Sequence, residues 1–149
     1  MLDALNEKRA CPEPRWIQGK SLHLNEVNGA GPVHISLAEE SDLVLIAPAT
    51  ANIIGKIAGG IADDFLSTVV MSVPNRDPVR GIKCPVLIAP AMNDGMYHNP
   101  IVQDNINRLK KLGYIFIPPE KGYLACQKIG EGRLASIETI IDNVIKALS

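Results

Sequence analysis

Three short runs in this chain are apolar from end to end, and each stops at proline. They are "LVLIA" (43–47) before Pro48, "PVLIA" (85–89) before Pro90, and "YIFI" (114–117) before Pro118 and Pro119. A strand with one wet face alternates apolar and polar residues. A run without alternation is a strand covered on both faces, the habit of parallel sheets sandwiched between helices. The intervening segments have helical spacing. Ile53, Ile57, Ile61, Phe65 and Val69 recur at four-residue steps across 53–71, and Gly59-Gly60 divides that stretch into two helices. Asn99 as N-cap, Pro100 in the first turn, Lys110 and Lys111 in the last and Gly113 as the stop delimit the next helix. Ser136 caps a final helix with Ile137, Ile140, Ile141, Val144, Ile145 and Leu148 as its apolar stripe. Strand–helix alternation with right-handed crossovers predicts an α/β fold, a doubly wound parallel sheet in three layers, α/β/α.

In such sheets ligands bind beyond the carboxyl ends of the strands. Those ends are "PATAN", "PAMNDGMYHNP" and "PPEKGYLACQKIGEGR", so three loops are expected along one edge as one site. Residues 1–32 are atypical of the single domain expected over 1–149. They hold no convincing buried strand, and the three strands counted fall short of the usual about four to six. The sheet is expected to be incomplete at its front.

Composition narrows the function classes. Fifteen basic and sixteen acidic residues leave a formal charge of -1, which offers no footprint for nucleic acid or a membrane surface. No apolar run approaches the ~20 residues of a membrane span, and no signal-peptide pattern opens the chain. Cys11, Cys84 and Cys126 are odd in number and lack C-x-x-C spacing, which disfavours a disulfide scaffold or a structural metal site and fits a reducing cytoplasm.

Each loop supports two readings. In "APATANIIGKIAGGIADD" small residues admit close backbone approach, Thr50 and Asn52 add polar handles, and the following helix presents N–H groups to an anion; the alternative is a tight turn capped by Asn52. In "PAMNDGMYHNP" Asn93 offers a carboxylate or amide both donor and acceptor, while Met92, Met96 and Tyr97 form an apolar wall. Alternatively the methionines fill the core and Asn93 makes an Asx-turn. In "GYLACQKIGEGRLAS" glycines at 122, 130 and 132 suit a mobile flap, Cys126 is a reactive thiol or a small buried hydrophobe, and Arg133 is an anion fork or a solvated side chain. His34, just ahead of a short helix in "GPVHISLAEESD", suits proton transfer near neutral pH or plain packing.

Together, "HISLAEESDLVLIAPATANIIGKIAGGIADDFLSTVV", "PAMNDGMYHNP" and "ACQKIGEGRLA" resemble, in order and spacing, the flavin-dependent cysteine decarboxylases over about residues 33–148. The resemblance implies a flavodoxin-like, Rossmann-like fold, a homotrimer or multiple of trimers, and FMN at the subunit interface. It implies a lyase of coenzyme A biosynthesis that decarboxylates 4′-phosphopantothenoylcysteine to 4′-phosphopantetheine. Loss of CO₂ from a cysteinyl carboxylate would leave an unsupported carbanion; in that family the flavin oxidises the thiol to a thioaldehyde, which supplies the electron sink, and the reduced flavin then returns the electrons to the resulting enethiol.

Carried over by motif, His34 matches the histidine that assists the first stage and Cys126 the proton donor to the enethiol. Asn93 matches the residue that holds the substrate carboxylate, with Met96 and Tyr97 in the same substrate motif and Arg133 following the flap. Pro48, Ala49, Thr50, Ala51 and Asn52 match the flavin-contacting segment. Tyr97 stands where tryptophan is common, Gln127 where glycine follows the flap cysteine, and Thr50 where serine is frequent. Residues 1–32 match neither the opening strand nor the loop that cradles the FMN phosphate, as in a truncated reading frame, a fragment or a divergent form. The family also contains peptidyl-cysteine decarboxylases, which lack the reducing cysteine, and regulatory paralogues that inhibit a protein phosphatase; an inactive form is a further alternative.

Overall fold

Val86–Pro90, buried at all five positions, form strand β2 in the middle of a parallel sheet. In the computed structural model, which describes residues 33–73, 84–123 and 129–149, β2 lies between β1 (Val44–Ala49) and β3 (Ile115–Phe116). Val44, Leu45 and Ile46 stand opposite Val86, Leu87 and Ile88, while Leu87 and Ile88 stand opposite Ile115 and Phe116. Residues of β2 alternate between two cores, as strand geometry requires. Val86 and Ile88 enter one, packed by α2 (Ala51–Gly59), α3 (Phe65–Ser72) and α5 (Pro100–Lys111), with α1 (Val33–Glu40) adding Ala38. Leu87 and Ala89 enter the other, closed by Ile140 and Val144 of α6 (Ile137–Leu148). The unalternating apolar runs therefore foretold both the parallel pairing and the two helical layers.

The second layer is narrower than the first. Leu87 is fully buried beneath α6, yet its neighbour Leu45 on β1 is 39% exposed. On α6 itself Ile137, Ile141, Ile145 and Leu148 are exposed beside the buried stripe. The open flank thus lies at β1, an edge strand among the described residues. The expectations for residues 1–32 fall outside the described residues.

Helix boundaries follow local chemistry. Gly60, at a φ of 68°, ends α2 as the N–H groups of Gly60 and Ile61 close on the carbonyls of Ile57 and Lys56 at 3.2 and 2.9 Å. Asn99 caps α5 by accepting the Ile101 N–H at 2.9 Å, and Ser136 caps α6 by accepting the Thr139 N–H at 3.2 Å. Two expectations need correction. The run "YIFI" yields only a two-residue strand, because the Tyr114 N–H closes α5 on the Leu109 carbonyl at 3.1 Å. His34 lies inside the first turn of α1 rather than ahead of it.

The start of α3 was not marked by any expected cap. There Asp64 Oδ1 accepts the Ser67 N–H at 2.8 Å and Ser67 Oγ accepts the Asp64 N–H at 3.1 Å, a capping box with serine at its third position. Lys56 Nζ adds contacts of 2.7 and 2.6 Å to Asp63 and Asp64. The Lys56 ammonium and the Ser67 N–H hold the Asp64 carboxyl down at about 2. Its contribution is therefore complete above the ordinary carboxyl range and lost as pH falls toward about 2. Asp64→Ala is expected to cost about 1 kcal/mol in urea unfolding at pH 7. Asp64→Asn, which keeps the cap, should cost less, and both should flatten the acid limb of the stability curve.

Candidate functional site

The carboxyl ends of β1, β2 and β3 open on one edge of the sheet. Ala91, just past β2, donates its N–H to the Ala49 carbonyl at 2.9 Å, so the "PATAN" and "PAMN" loops are directly joined. Ile117 N–H reaches the Ile88 carbonyl at 2.9 Å and carries the third strand to the same edge. The chain then forms a separate antiparallel pair, β4 (Glu120–Tyr123) with β5 (Ile129–Arg133). The segment read as a glycine-rich flap is thus bounded by a paired hairpin. Met92 N–H bonds the Gly132 carbonyl at 2.9 Å and fastens β5 to the "PAMN" loop.

Asn93 is the N-cap of α4 (Asp94–Tyr97), with Oδ1 accepting the Gly95 N–H at 2.9 Å. The Asx-type alternative is therefore realised for its oxygen. The methionines separate: Met92 packs on the larger core, whereas Met96 is 48% exposed. Tyr97 packs on that core, its hydroxyl pushed upward by burial, and its ring meets His98 edge-on at 5.4 Å. Arg133 is exposed at the end of β5 and lies along Gly122, where an added Cβ would come within 2.8 Å of its Cδ.

At the first loop Thr50 is the N-cap of α2 and makes no capping bond through its side chain. Pro48, Thr50 and Asn52 are exposed and Ala51 half-buried, so small side chains and unpartnered first-turn N–H groups border the edge. Ala49 differs: its side chain is buried and its carbonyl accepts the Ala91 N–H. His34 stands on α1, whose main packing partner is α3 rather than α4 or β5. Its Nδ1 is buried and has no hydrogen-bond partner among the described residues. Cys126 lies outside the described residues.

Asp94 and Glu131 join this site without having been singled out. Asp94 Oδ1 accepts the Glu131 N–H at 2.7 Å, and a Cβ at Gly130 would come within 2.8 Å of Asp94 Cβ. The sequence signal was the pair of glycines flanking Glu131, which leave β5 open to a neighbour's side chain.

Fold and site define a Rossmann-like α/β protein with its ligand loops gathered at one sheet edge. The chain belongs to the Flavoprotein family, which matches residues 4–149. It is similar to the coenzyme A biosynthesis bifunctional protein CoaBC of Bacillus subtilis, 49% identical over 134 residues that cover 86% of this chain and 31% of that protein. A Streptococcus mutans protein named probable phosphopantothenoylcysteine decarboxylase is 44% identical over 77% of this chain and 60% of its own length. Among solved structures, a cysteine-to-serine mutant of PPC decarboxylase complexed with pantothenoylaminoethenethiol matches with a TM-score of 0.74 at 33% identity, over 83% of this chain and 64% of that one. The FMN-dependent cysteine decarboxylase SpaF matches with a TM-score of 0.64 at 32% identity, over 85% of this chain and 63% of that one. The chain spans less than two thirds of the length of each of these relatives.

Gly132 is the backbone pivot of this edge. It has a φ of 151°, and a Cβ there would overlap the Met92 carbonyl oxygen. Gly132→Ala is expected to destabilise the fold by about 2 kcal/mol or more and to speed hydrogen exchange at the Met92 amide. Urea unfolding and exchange spectra would show both effects.

Proposed function

We propose that this chain carries the FMN-dependent decarboxylation of 4′-phosphopantothenoylcysteine to 4′-phosphopantetheine in coenzyme A biosynthesis. The observation that carries the reading is the pair of backbone bonds, Ala91 to Ala49 and Met92 to Gly132, that draws the three family motifs onto one edge. The relatives named for this reaction and for FMN supply the substrate and the cofactor. Among the described residues no helix is long and apolar enough to cross a membrane; a small-molecule substrate met in the cytoplasm is part of the proposal. Assembly as a homotrimer or a multiple of trimers belongs to the same reading.

The chain's residues divide the work by chemistry. Pro48, Thr50, Ala51 and Asn52 border the flavin; small side chains and the first N–H groups of α2 fit a flat ring with polar edges. FMN, when bound, supplies a two-electron acceptor for the substrate thiol, so that the carboxylate's bonding electrons have somewhere to go. Asn93 holds that carboxylate through its amide hydrogens, with its oxygen kept in place by Gly95. Tyr97 and Met96 close the apolar side of the pocket, and Arg133 pairs with an anionic part of the substrate. His34 takes up a proton at Nδ1 during the first stage. When the two electrons taken from the thiol in the first stage are returned by the reduced cofactor, Cys126 would donate the accompanying proton to the enethiol, the step that separates this activity from peptidyl-cysteine decarboxylation.

Purified protein supplemented with FMN and then freed of unbound FMN by gel filtration should retain flavin absorption at ~450 nm, and its absence would refute the enzymatic reading. Cys126→Ser should release CO₂ yet accumulate unsaturated product rather than 4′-phosphopantetheine. Normal formation of the saturated product by that variant would remove Cys126 from its role. His34→Asn should lose CO₂ release altogether, and unimpaired release would place His34 outside the reaction.

A further inference from the structure

Two residues of the "PAMN" loop hold β5 from the side. Asp94 opens α4 and His98 caps its end. Asp94 Oδ1 accepts the Glu131 N–H at 2.7 Å, and His98 Nε2 lies 3.6 Å from Asp94 Oδ1 and 3.4 Å from Glu131 Oε2. Gly130 makes the approach possible, since any Cβ there would press within 2.8 Å of Asp94 Cβ. Gly122, its cross-strand partner, similarly leaves room for Arg133. Paired residues of an antiparallel ladder point to the same face. Asp94 and Arg133 therefore occupy one face of the hairpin, on a platform without side chains of its own.

We propose that Asp94, His98 and Glu131 form a positioning clasp that fixes β5, and with it Arg133, relative to Asn93, and that the clasp tightens when His98 is protonated. The bond from the Glu131 N–H to the Asp94 carboxylate is present at every pH at which Asp94 is ionised. An imidazolium at His98 adds attraction to two carboxylates, and that addition disappears as pH rises and the imidazole loses its proton. The ionisable side chains on the elements around it are Asp94 and Tyr97 of α4, Glu131 and Arg133 of β5, Glu120 and Lys121 of β4, with Lys121 directly across from Glu131, and Asp104 in the first two turns of α5. The side chains of His98, Asp94 and Glu131 are about half exposed, so the charge-dependent part is screened and small. The clasp stands on this geometry alone; its effect on substrate rests on the reading of Asn93 and Arg133 as substrate contacts.

Amide hydrogen exchange of the full chain tests the clasp without any turnover. Corrected for the intrinsic rate, protection of the Glu131 amide should rise about two- to fivefold from pH 8 to pH 5, the interval in which imidazole side chains change charge. His98→Gln should abolish that pH dependence. Asp94→Asn keeps the acceptor oxygen and should retain most protection while losing much of the pH effect. Asp94→Ala should lose about tenfold in protection at Glu131 while the Ile88 amide of β2 is unchanged. The same pH dependence in His98→Gln, or full protection at Glu131 in Asp94→Ala, would overturn the clasp. With 4′-phosphopantothenoylcysteine, Asp94→Ala should raise KM more than it lowers kcat, and raising the pH should raise KM in the parent protein but not in His98→Gln. A KM that stays fixed while exchange at Glu131 changes would overturn the substrate roles of Asn93 and Arg133 and leave the clasp standing.

Discussion

Burial of β2 on both faces is the constraint from which the rest of the molecule follows. A strand whose five residues are all buried has no water for its peptide groups, so each N–H and C=O must find a protein partner on either side. β1 and β3 supply those partners, and both run parallel to β2. Parallel neighbours need crossovers that leave and re-enter at opposite ends, which commits all three carboxyl ends to one edge. The prolines at or just past those ends, Pro48, Pro90 and Pro118, reinforce the change of direction there. The site is thus a consequence of how the central strand is hidden, before any side chain is chosen for chemistry.

Gathering loops at an edge does not by itself fix them. Two backbone bonds, Ala91 to Ala49 and Met92 to Gly132, turn three neighbouring loops into one connected surface. The second bond depends on a residue without a side chain, because Gly132 approaches the Met92 carbonyl more closely than any Cβ allows. Gly130 and Gly122 do the same on the facing side of the hairpin, yielding space to Asp94 and Arg133. In this chain the glycines near the site serve close approach, and the paired hairpin they permit holds Arg133 near the loop that bears Asn93.

Much of this was legible in the sequence, and the misses have physical causes. Unalternating apolar runs report burial on two faces, so the parallel sheet and its layers could be read directly. The Gly59-Gly60 break, the Asn99 and Ser136 caps and the common loop edge are also local signals. The capping box at Asp64 was missed because serine, not glutamate, completes it three residues on. The length of β3 was misread because Tyr114 is apolar enough to look like strand, yet its N–H belongs to the end of α5. The separation of Met92 from Met96 and the Asp94–Glu131 bond are tertiary facts. They depend on a hairpin placed against α4 across 37 residues of chain, and no periodicity carries that distance. The role of each site residue came from motif resemblance, because hydrogen-bond chemistry alone left every loop with two readings.

The acidity of the edge raises an electrostatic problem that the same geometry resolves. On the proposed reading, a pocket that receives a carboxylate should not present bare negative charge, yet Asp94 directly follows Asn93 and its carboxylate holds the Glu131 N–H. Asp94 spends its charge on the Glu131 N–H and lies 3.6 Å from His98, while Glu131 lies 3.4 Å from the same imidazole. Charge held by a short hydrogen bond projects less field toward a neighbouring ligand. Arg133, on the same face of the hairpin, adds the opposite sign. The acidic residues can therefore brace the site, and in the proposed reading it is Asn93 and Arg133 that set the potential an anionic substrate meets.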